Sequence, residues 1–375
     1  MKAVITVIAA RKRRAGDFVR HLRKFMLAVG LLSLAAPTTV GATTDPRPSA
    51  GRLLATGLQG SVGSAIGPDG ALYVAEGALG QITRIDPKTG AKTLYADGLP
   101  KSGVGIGSPM DVAFIGKTAY ALVTLVGQQF GTGGINGIYR LKHNGKWELL
   151  ADLGKFSVDN PAPCASDSPP TCQIDVPTGV QYALQPIRNG FLVTDGHHNR
   201  VLHVPLEGKP TELIRFENNV PTGLAVKGNT VYMAEGGPVP YKPEDGKVIS
   251  FKLQAADPKA TQRERASGFS LLVDVELDQG GKLFALSQGD ERKDVPAPPP
   301  GDTATPNSGK LLRANKDGTF AVVVDKLNLP TSLELVEDTA FVVTLTGEVW
   351  RIDDVSKLAR SRPDRDEDRH EVDRH

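Results

Sequence analysis

Carboxylates recur at matching places in this chain. Glu76, Asp195 and Glu235 each end a short apolar run: Leu72-Tyr73-Val74-Ala75-Glu76, the stretch 190–195 (GFLVTD), and Val231-Tyr232-Met233-Ala234-Glu235. Asp111 and Asp274 stand near the start of two others, Met110-Asp111-Val112-Ala113 and Val273-Asp274-Val275-Glu276. Brought together, such groups could hold a hard cation through oxygen ligands, and Ca²⁺ is the ion that suits them; no other cofactor is expected. A carboxyl pair with separated pKa values could instead do general acid–base work. The plain alternative is that a strand-end Asp or Glu caps a turn or stays hydrated. Asp195 also opens Asp-Gly-His-His-Asn-Arg, the one cluster with a base that titrates near neutrality. Neighbouring imidazoles on an extended segment point opposite ways, so His197 and His198 would not share one ion. Either is a general-base candidate or part of a solvated turn.

Other chemistry is missing from the sequence. It contains no G-x-S-x-G elbow, H-E-x-x-H, P-loop or paired C-x-x-C. Gly131-Thr132-Gly133-Gly134 is glycine-rich, but it joins strands and opens no helix, so the reason for anion binding is absent.

A repeat must position the acids. From Ser64 to Leu99 two apolar runs flank Gly67-Pro68-Asp69-Gly70, and a third ends at Pro87-Lys88-Thr89-Gly90 before a fourth, Lys92 to Ala96. Pro presets the turn, Asp bonds its own backbone, and Gly takes the positive φ. The same four-strand pattern starts again near Pro109, Pro177, Pro221, Val273 and Pro330. The last unit stops one strand short at Asp353, and Arg52 to Leu58 matches the missing strand. These units predict an all-β, six-bladed β-propeller over 51–355, built of four-stranded antiparallel blades, with the ring closed by the N-terminal strand. A chain with 41 Gly, 27 Pro and only 6% aromatics suits short strands and many turns.

In such a ring, the starts of the first strands and the ends of the second strands face one channel mouth. Glu76, Asp111, Asp195, Glu235, Asp274 and His197 are therefore expected to converge there. Aligning the units by their turns gives Gly63, Asp111, Gly179, Gly223, Asp274 and Ser332 as equivalent positions.

The ends of the chain read differently. Residues 1–42 carry eight Lys and Arg before an apolar stretch, Phe25 to Ala36, and small residues at Val40-Gly41-Ala42. This is the pattern of a signal peptide cleaved after Ala42, so a secreted or periplasmic protein is expected, with no membrane span in the mature chain. The leader has about +7 charge and the whole chain +2, so the mature chain carries about −5 and offers no basic footprint for nucleic acid. Cys164 and Cys172 lie in one Pro-containing loop, and export favours a disulfide between them. The insertions 157–175 and 290–307 are candidate interaction loops, and the charged stretch 356–375 is expected to be a disordered tail.

The hairpin Ile66-Gly67-Pro68-Asp69-Gly70-Ala71-Leu72-Tyr73-Val74 resembles those of NHL and SMP-30/gluconolactonase-type propellers. The order of Gly63 to Gly77, Phe216 to Gly223, Val231 to Glu235 and Gly309 to Ala314 resembles the ScyD/ScyE family of exported six-bladed propellers. That resemblance implies the fold and export, and it brings no reaction. SMP-30-type lactonases imply carboxylate and Asn metal ligands in the channel, where Glu76 and Asp195 hold matching positions but no full ligand set maps. The stretch 283–290 (LFALSQGD) is similar to quinoprotein sugar dehydrogenases, without their catalytic His context. The expected function is binding of a small molecule, glycan or protein partner at the channel mouth by a monomer. The alternative is a metal-dependent hydrolase or lactonase using the same acids.

Overall fold

The computed structural model describes residues 48–162, 176–238, 241–293 and 303–359. Among these, 24 strands form six four-stranded antiparallel sheets. Blade 1 comprises Ser61–Ile66, Leu72–Glu76, Gln81–Ile85 and Lys92–Ala96. Blade 2 comprises Asp111–Ile115, Thr118–Val123, Gly137–Leu141 and Trp147–Asp152. Gln181–Ile187, Gly190–Asp195, Arg200–Pro205 and Thr211–Arg215 make blade 3. Pro221–Lys227, Thr230–Glu235, Lys247–Lys252 and Arg263–Ser267 make blade 4. Leu272–Leu277, Leu283–Ser287, Gly309–Ala314 and Phe320–Leu327 make blade 5.

Blade 6 draws on both ends of the fold. Its inner strands are Pro330–Val336, Thr339–Thr344 and Val349–Ile352, and its outer strand is Arg52–Ala55. Arg52 lies opposite Arg351 and Ala55 opposite Val349 in an antiparallel pair. The first strand of each blade touches the first strands of both neighbours, blade 1 against blade 6 included. The six first strands therefore enclose one channel, and closure removes the free edges of an open array.

The turns work as their residues predict. Gly70 has φ +76°, and Asp69 accepts a bond from Ala71 N at 3.2 Å while its other oxygen holds Arg84 Nε at 2.7 Å. Apolar side chains fill the gaps between blades. Tyr73 and Ala75 of blade 1 pack with Val112 and Ala121 of blade 2, and Leu192 and Val201 of blade 3 pack with Met233 and Ile249 of blade 4. Because both faces of each sheet are covered, second strands such as Leu72–Glu76 are buried at every residue. That includes their polar termini, which bears directly on the acids.

Three expectations change. Pro177 to Val180 is a loop, and the first strand of blade 3 begins at Gln181. Gly179 has φ +74°, which breaks the extended run, and the following amide, Val180 N, bonds the Asp195 carboxylate at 3.1 Å. Residues 254–266, whose polar, Ala-containing sequence suggests a short helical excursion, hold a single 3₁₀ turn, Lys259–Thr261, before the fourth strand of blade 4. Residues 356–359, assigned to the tail, belong to the fold: helix Val355–Leu358 sets Val355 and Ala359 into the core shared by blades 5 and 6. The stretch 1–42 expected to be a signal peptide, Cys164, Cys172 with their expected disulfide, much of both insertions and residues 360–375 lie outside the described residues.

Candidate functional site: an acidic chamber in the channel

The first strands surround a cavity of about 210 Å³ on the channel axis. Strand pairing sets which residues reach it. Leu184, Leu224 and Leu333 lie opposite Val193, Met233 and Val342, so the residues before them are equivalent. The ring of equivalent positions is therefore Gly63, Asp111, Ala183, Gly223, Asp274 and Ser332, with Ala183 in place of Gly179.

Each aspartate of this ring joins its blade to the next. Asp111 accepts from Val112 N at 2.8 Å and from Leu184 N of blade 3 at 2.7 Å. Asp274 accepts from Val275 N at 2.9 Å and from Leu333 N of blade 6 at 2.8 Å. The preceding blade supplies glycine each time. A Cβ on Gly63 would sit 2.2 Å from Asp111 Oδ1, and one on Gly223 would sit 2.3 Å from Asp274 Oδ1. The Gly, Asp, backbone-amide arrangement thus occurs in blades 1–3 and again in blades 4–6.

Two further acids complete the chamber. Glu276 and Glu334 lie two residues beyond ring positions and line the same cavity, where other blades carry Ala65, Ala113 and Gln185. Among the described residues, no Lys, Arg or His is on this wall. The four carboxyls keep a partly accessible edge toward the chamber, while wall atoms crowd them elsewhere. Burial pushes Asp111 well above the carboxylate range, against the pull of its two amide bonds, and the charge of Asp274 adds to the rise. Burial likewise brings Asp274 up to about 7. Glu276 is driven well above its ordinary value by burial and then by Asp274. Glu334 is driven up by burial, then by Glu276, Asp274 and Asp111. These carboxyls thus hold their protons more tightly than exposed ones, and a cation entering the chamber would displace them.

Tyr182 closes one end. Its hydroxyl donates to the carbonyl oxygen of Thr331 at 2.9 Å, crossing the channel from blade 3 to the opposite blade 6. Its ring packs against apolar side chains of blades 2 and 3 and of blades 5 and 6.

The structure separates the acids that the sequence placed together. Asp111 and Asp274 line the chamber; Glu76, Asp195, Glu235 and His197 do not. Glu76 is buried in blade 1, where it accepts from Gln59 N at 2.7 Å, Gln81 Nε2 at 3.0 Å and the Thr83 hydroxyl. Asp195 is buried beside Arg200 Nε at 3.3 Å, His198 Nδ1 at 2.8 Å and the Ser157 hydroxyl at 3.4 Å. Burial pushes the Asp195 carboxyl up, yet the His198 and Arg200 partners outweigh it and hold it below its usual value. Glu235 is buried with Asn219 Nδ2 on one oxygen. Its other oxygen and Asn219 Oδ1 lack hydrogen-bond partners, and burial raises this carboxyl to about 7 against the charge of Lys247. His197 is half-buried and stands edge-on to His198, with ring centres 5.2 Å apart. His198 itself is buried, so the turn does not display two solvated imidazoles.

The residues present do not assemble a Ca²⁺ cage. Among the described residues, no three of His, Cys, Asp and Glu converge as ligands of one ion. Asp111 and Asp274 direct both oxygens at backbone amides.

Glu276, Glu334 and Tyr182 are the site residues that the sequence reading missed. Alternation could have found Glu276, because residues i and i+2 of a strand share a face with Asp274. The same step from Ser332 reaches Glu334. Tyr182 was hidden by the shifted start of blade 3.

No protein-family profile matches this chain, and no curated protein matches it. Solved structures are similar in fold. A gluconolactonase from Xanthomonas campestris superposes with TM-score 0.54 at 13% identity, covering 80% of this chain and 88% of that one. A calcium-binding protein, regucalcin, from Agrobacterium tumefaciens str. C58 gives TM-score 0.52 at 14% identity, covering 81% and 93%. A chain of a nidogen/laminin complex gives 0.50 at 13%, covering 77% and 90%. At such identities the likeness is one of fold: this chain is a six-bladed β-propeller of the architecture seen in SMP-30/gluconolactonase structures.

Proposed function

We propose that this propeller is an exported binding protein whose channel takes a small organic cation, with a primary amine as the recognised group. The observation that carries this reading is a cavity walled by four carboxyls and no basic side chain. Ammonium groups supply the positive charge that this wall does not, and a charged donor to a carboxylate makes a strong hydrogen bond. Anions meet like charge, and neutral sugars leave the carboxyls uncompensated. The basic and apolar leader supports export, and the order of the hairpins supports kinship with ScyD/ScyE proteins. A thermal-shift series on the mature protein with putrescine, glucose and succinate tests the choice. Stabilisation by putrescine alone is expected; stabilisation by succinate, or by none of the three, contradicts it.

A second reading is lactone hydrolysis. It is supported by an acid near neutrality, Asp274, beside two carboxyls that burial and neighbouring charge hold above their ordinary values, which suits general acid–base work. The gluconolactonase-like fold fits it. The regucalcin of similar fold is a calcium-binding protein, but among the described residues this chain's acids do not form a calcium cage. Release of acid from gluconolactone, with and without added Ca²⁺, decides it: turnover lost in Asp274→Asn favours hydrolysis, and turnover at the uncatalysed rate rules it out.

A further inference from the structure

A second cavity, of about 220 Å³, lies on the other side of Tyr182. It begins one residue earlier on each first strand. Val62, Met110, Tyr182, Thr222, Val273 and Thr331, one from each blade, form its floor. Leu271, Leu345, Val180 and Val220 add to its sides. The contrast with the acidic chamber is complete within a single step of the strand: Met110 against Asp111, Val273 against Asp274.

Tyr241 and Gln288 also line this wall, and the hydroxyls of its threonines and of Tyr182 are already engaged. The Thr222 hydroxyl faces the carbonyls of Leu272 at 2.8 Å and Ala234 at 3.0 Å. Thr331 donates to Val343 O at 3.3 Å, and Thr303 donates to Gln288 Oε1 at 2.9 Å. Tyr182 donates to Thr331 O. What these residues present to the cavity is methyl groups and ring carbon. Apolar cavities of roughly 150 Å³ lined by aliphatic and aromatic side chains stay dry and bind benzene-sized guests.

We infer that this chamber is a separate binding site for a small neutral aromatic molecule of about the size of toluene or indole. The guest would lie on the Val62, Met110 and Val273 side chains, with the Tyr182 ring as a shared partition. The inference rests on the second chamber alone and does not require an amine in the first.

Toluene is the probe, added to the mature protein near its aqueous saturation. Carbon-13 methionine-methyl NMR reads the site directly. The Met110 methyl is expected to shift, while that of Met233, buried in the core between blades 3 and 4, stays in place. Gly236→Leu is the matching variant. Gly236 lines this chamber, its φ is not in the left-handed region, and an added Cβ meets nothing nearer than 3.8 Å. The leucine side chain should occupy the space and abolish the toluene shift. An unmoved Met110 resonance, or equal shifts at Met110 and Met233, overturns the proposal in the native protein even if the variant fails to fold. A full Met110 shift in folded Gly236→Leu overturns it as well.

Discussion

The Tyr182 hydroxyl reaches the Thr331 carbonyl across the channel, 2.9 Å from donor to acceptor, and ties blade 3 to blade 6. Opposite blades of a ring share no sheet, so this bond and the ring that carries it partition the lumen. An acidic chamber lies on one side and an apolar one on the other.

Removing only the hydroxyl keeps the partition. Tyr182→Phe should cost about 1 kcal/mol, the usual net value of one hydrogen bond. Tyr182→Ala opens a void between the chambers and should cost about 3–5 kcal/mol. Urea unfolding of the two variants checks the difference, and equal losses would place the whole effect in the hydroxyl.

Gly63 and Asp111 are predicted to be coupled. Gly63→Ala drives a methyl into the Asp111 carboxylate and should destabilise the fold by about 1–3 kcal/mol. The double variant with Asp111→Gly removes the carboxylate contact and leaves the clash with the Asp111 Cα, 2.7 Å from the added Cβ, so its loss should be smaller than the sum of the two single losses but still substantial. A double-mutant cycle measures this, and simple additivity would show that the two residues do not press on each other. Gly223 and Asp274 should behave alike.

Glu235 makes stability depend on pH. Its folded value near 7 lies above the ordinary carboxyl value, so the folded state holds its proton more tightly than the unfolded state. Stability from this group is fully present below about pH 4.5 and declines as pH rises through 7. Glu235→Gln cannot ionise, and it brings an amide to a site where, among the described residues, Asn219 Oδ1 has no hydrogen-bond partner. The variant should match the native protein at pH 4.5 and exceed it at pH 8 by on the order of 3 kcal/mol. Chemical denaturation at the two pH values tests this; an equal difference at both would refute the titration.

Asp195 acts in the opposite direction. Its folded value is depressed by His198 and Arg200, so its contribution is present above the ordinary Asp value and is lost as pH falls below it. Arg200→Met leaves the buried carboxylate without its permanent cation and should cost about 3–5 kcal/mol at neutral pH. Circular dichroism melts across pH 3 to 7 would show the acid limb flattened in Asp195→Asn.

The ring was legible in the sequence because every level of the pattern agreed. The Pro- and Gly-containing turns, the short apolar runs and the orphan strand at Arg52 all demand the same closure. The site was legible only in part. Asp111 and Asp274 were found because they sit on the first strands, which line the channel. Glu76, Asp195 and Glu235 were placed with them because second strands end on the same face. That reasoning fixes height along the axis and leaves distance from it open. These acids lie one strand further out, between packed blades, where Thr83, Arg200 and Asn219 meet them. Long-range partners such as Ser157 for Asp195 leave no local signal. Blade 3 was misaligned because Pro177-Thr178-Gly179 copies the Pro-Thr-Gly of Pro221-Thr222-Gly223 while having a different conformation: Gly179 is left-handed, and Gly223 is within a strand.

The central claim is that the acidic chamber binds an organic cation through carboxyls that give up protons. Calorimetric titration with putrescine at pH 6.5, repeated in buffers of different ionisation enthalpy, tests it most directly. Heats should vary with the buffer in the sense of net proton release, and affinity should be about tenfold or more weaker in the Glu276→Gln/Glu334→Gln double variant. Binding with no proton release and unchanged affinity in that variant, or no heat at all, would contradict it.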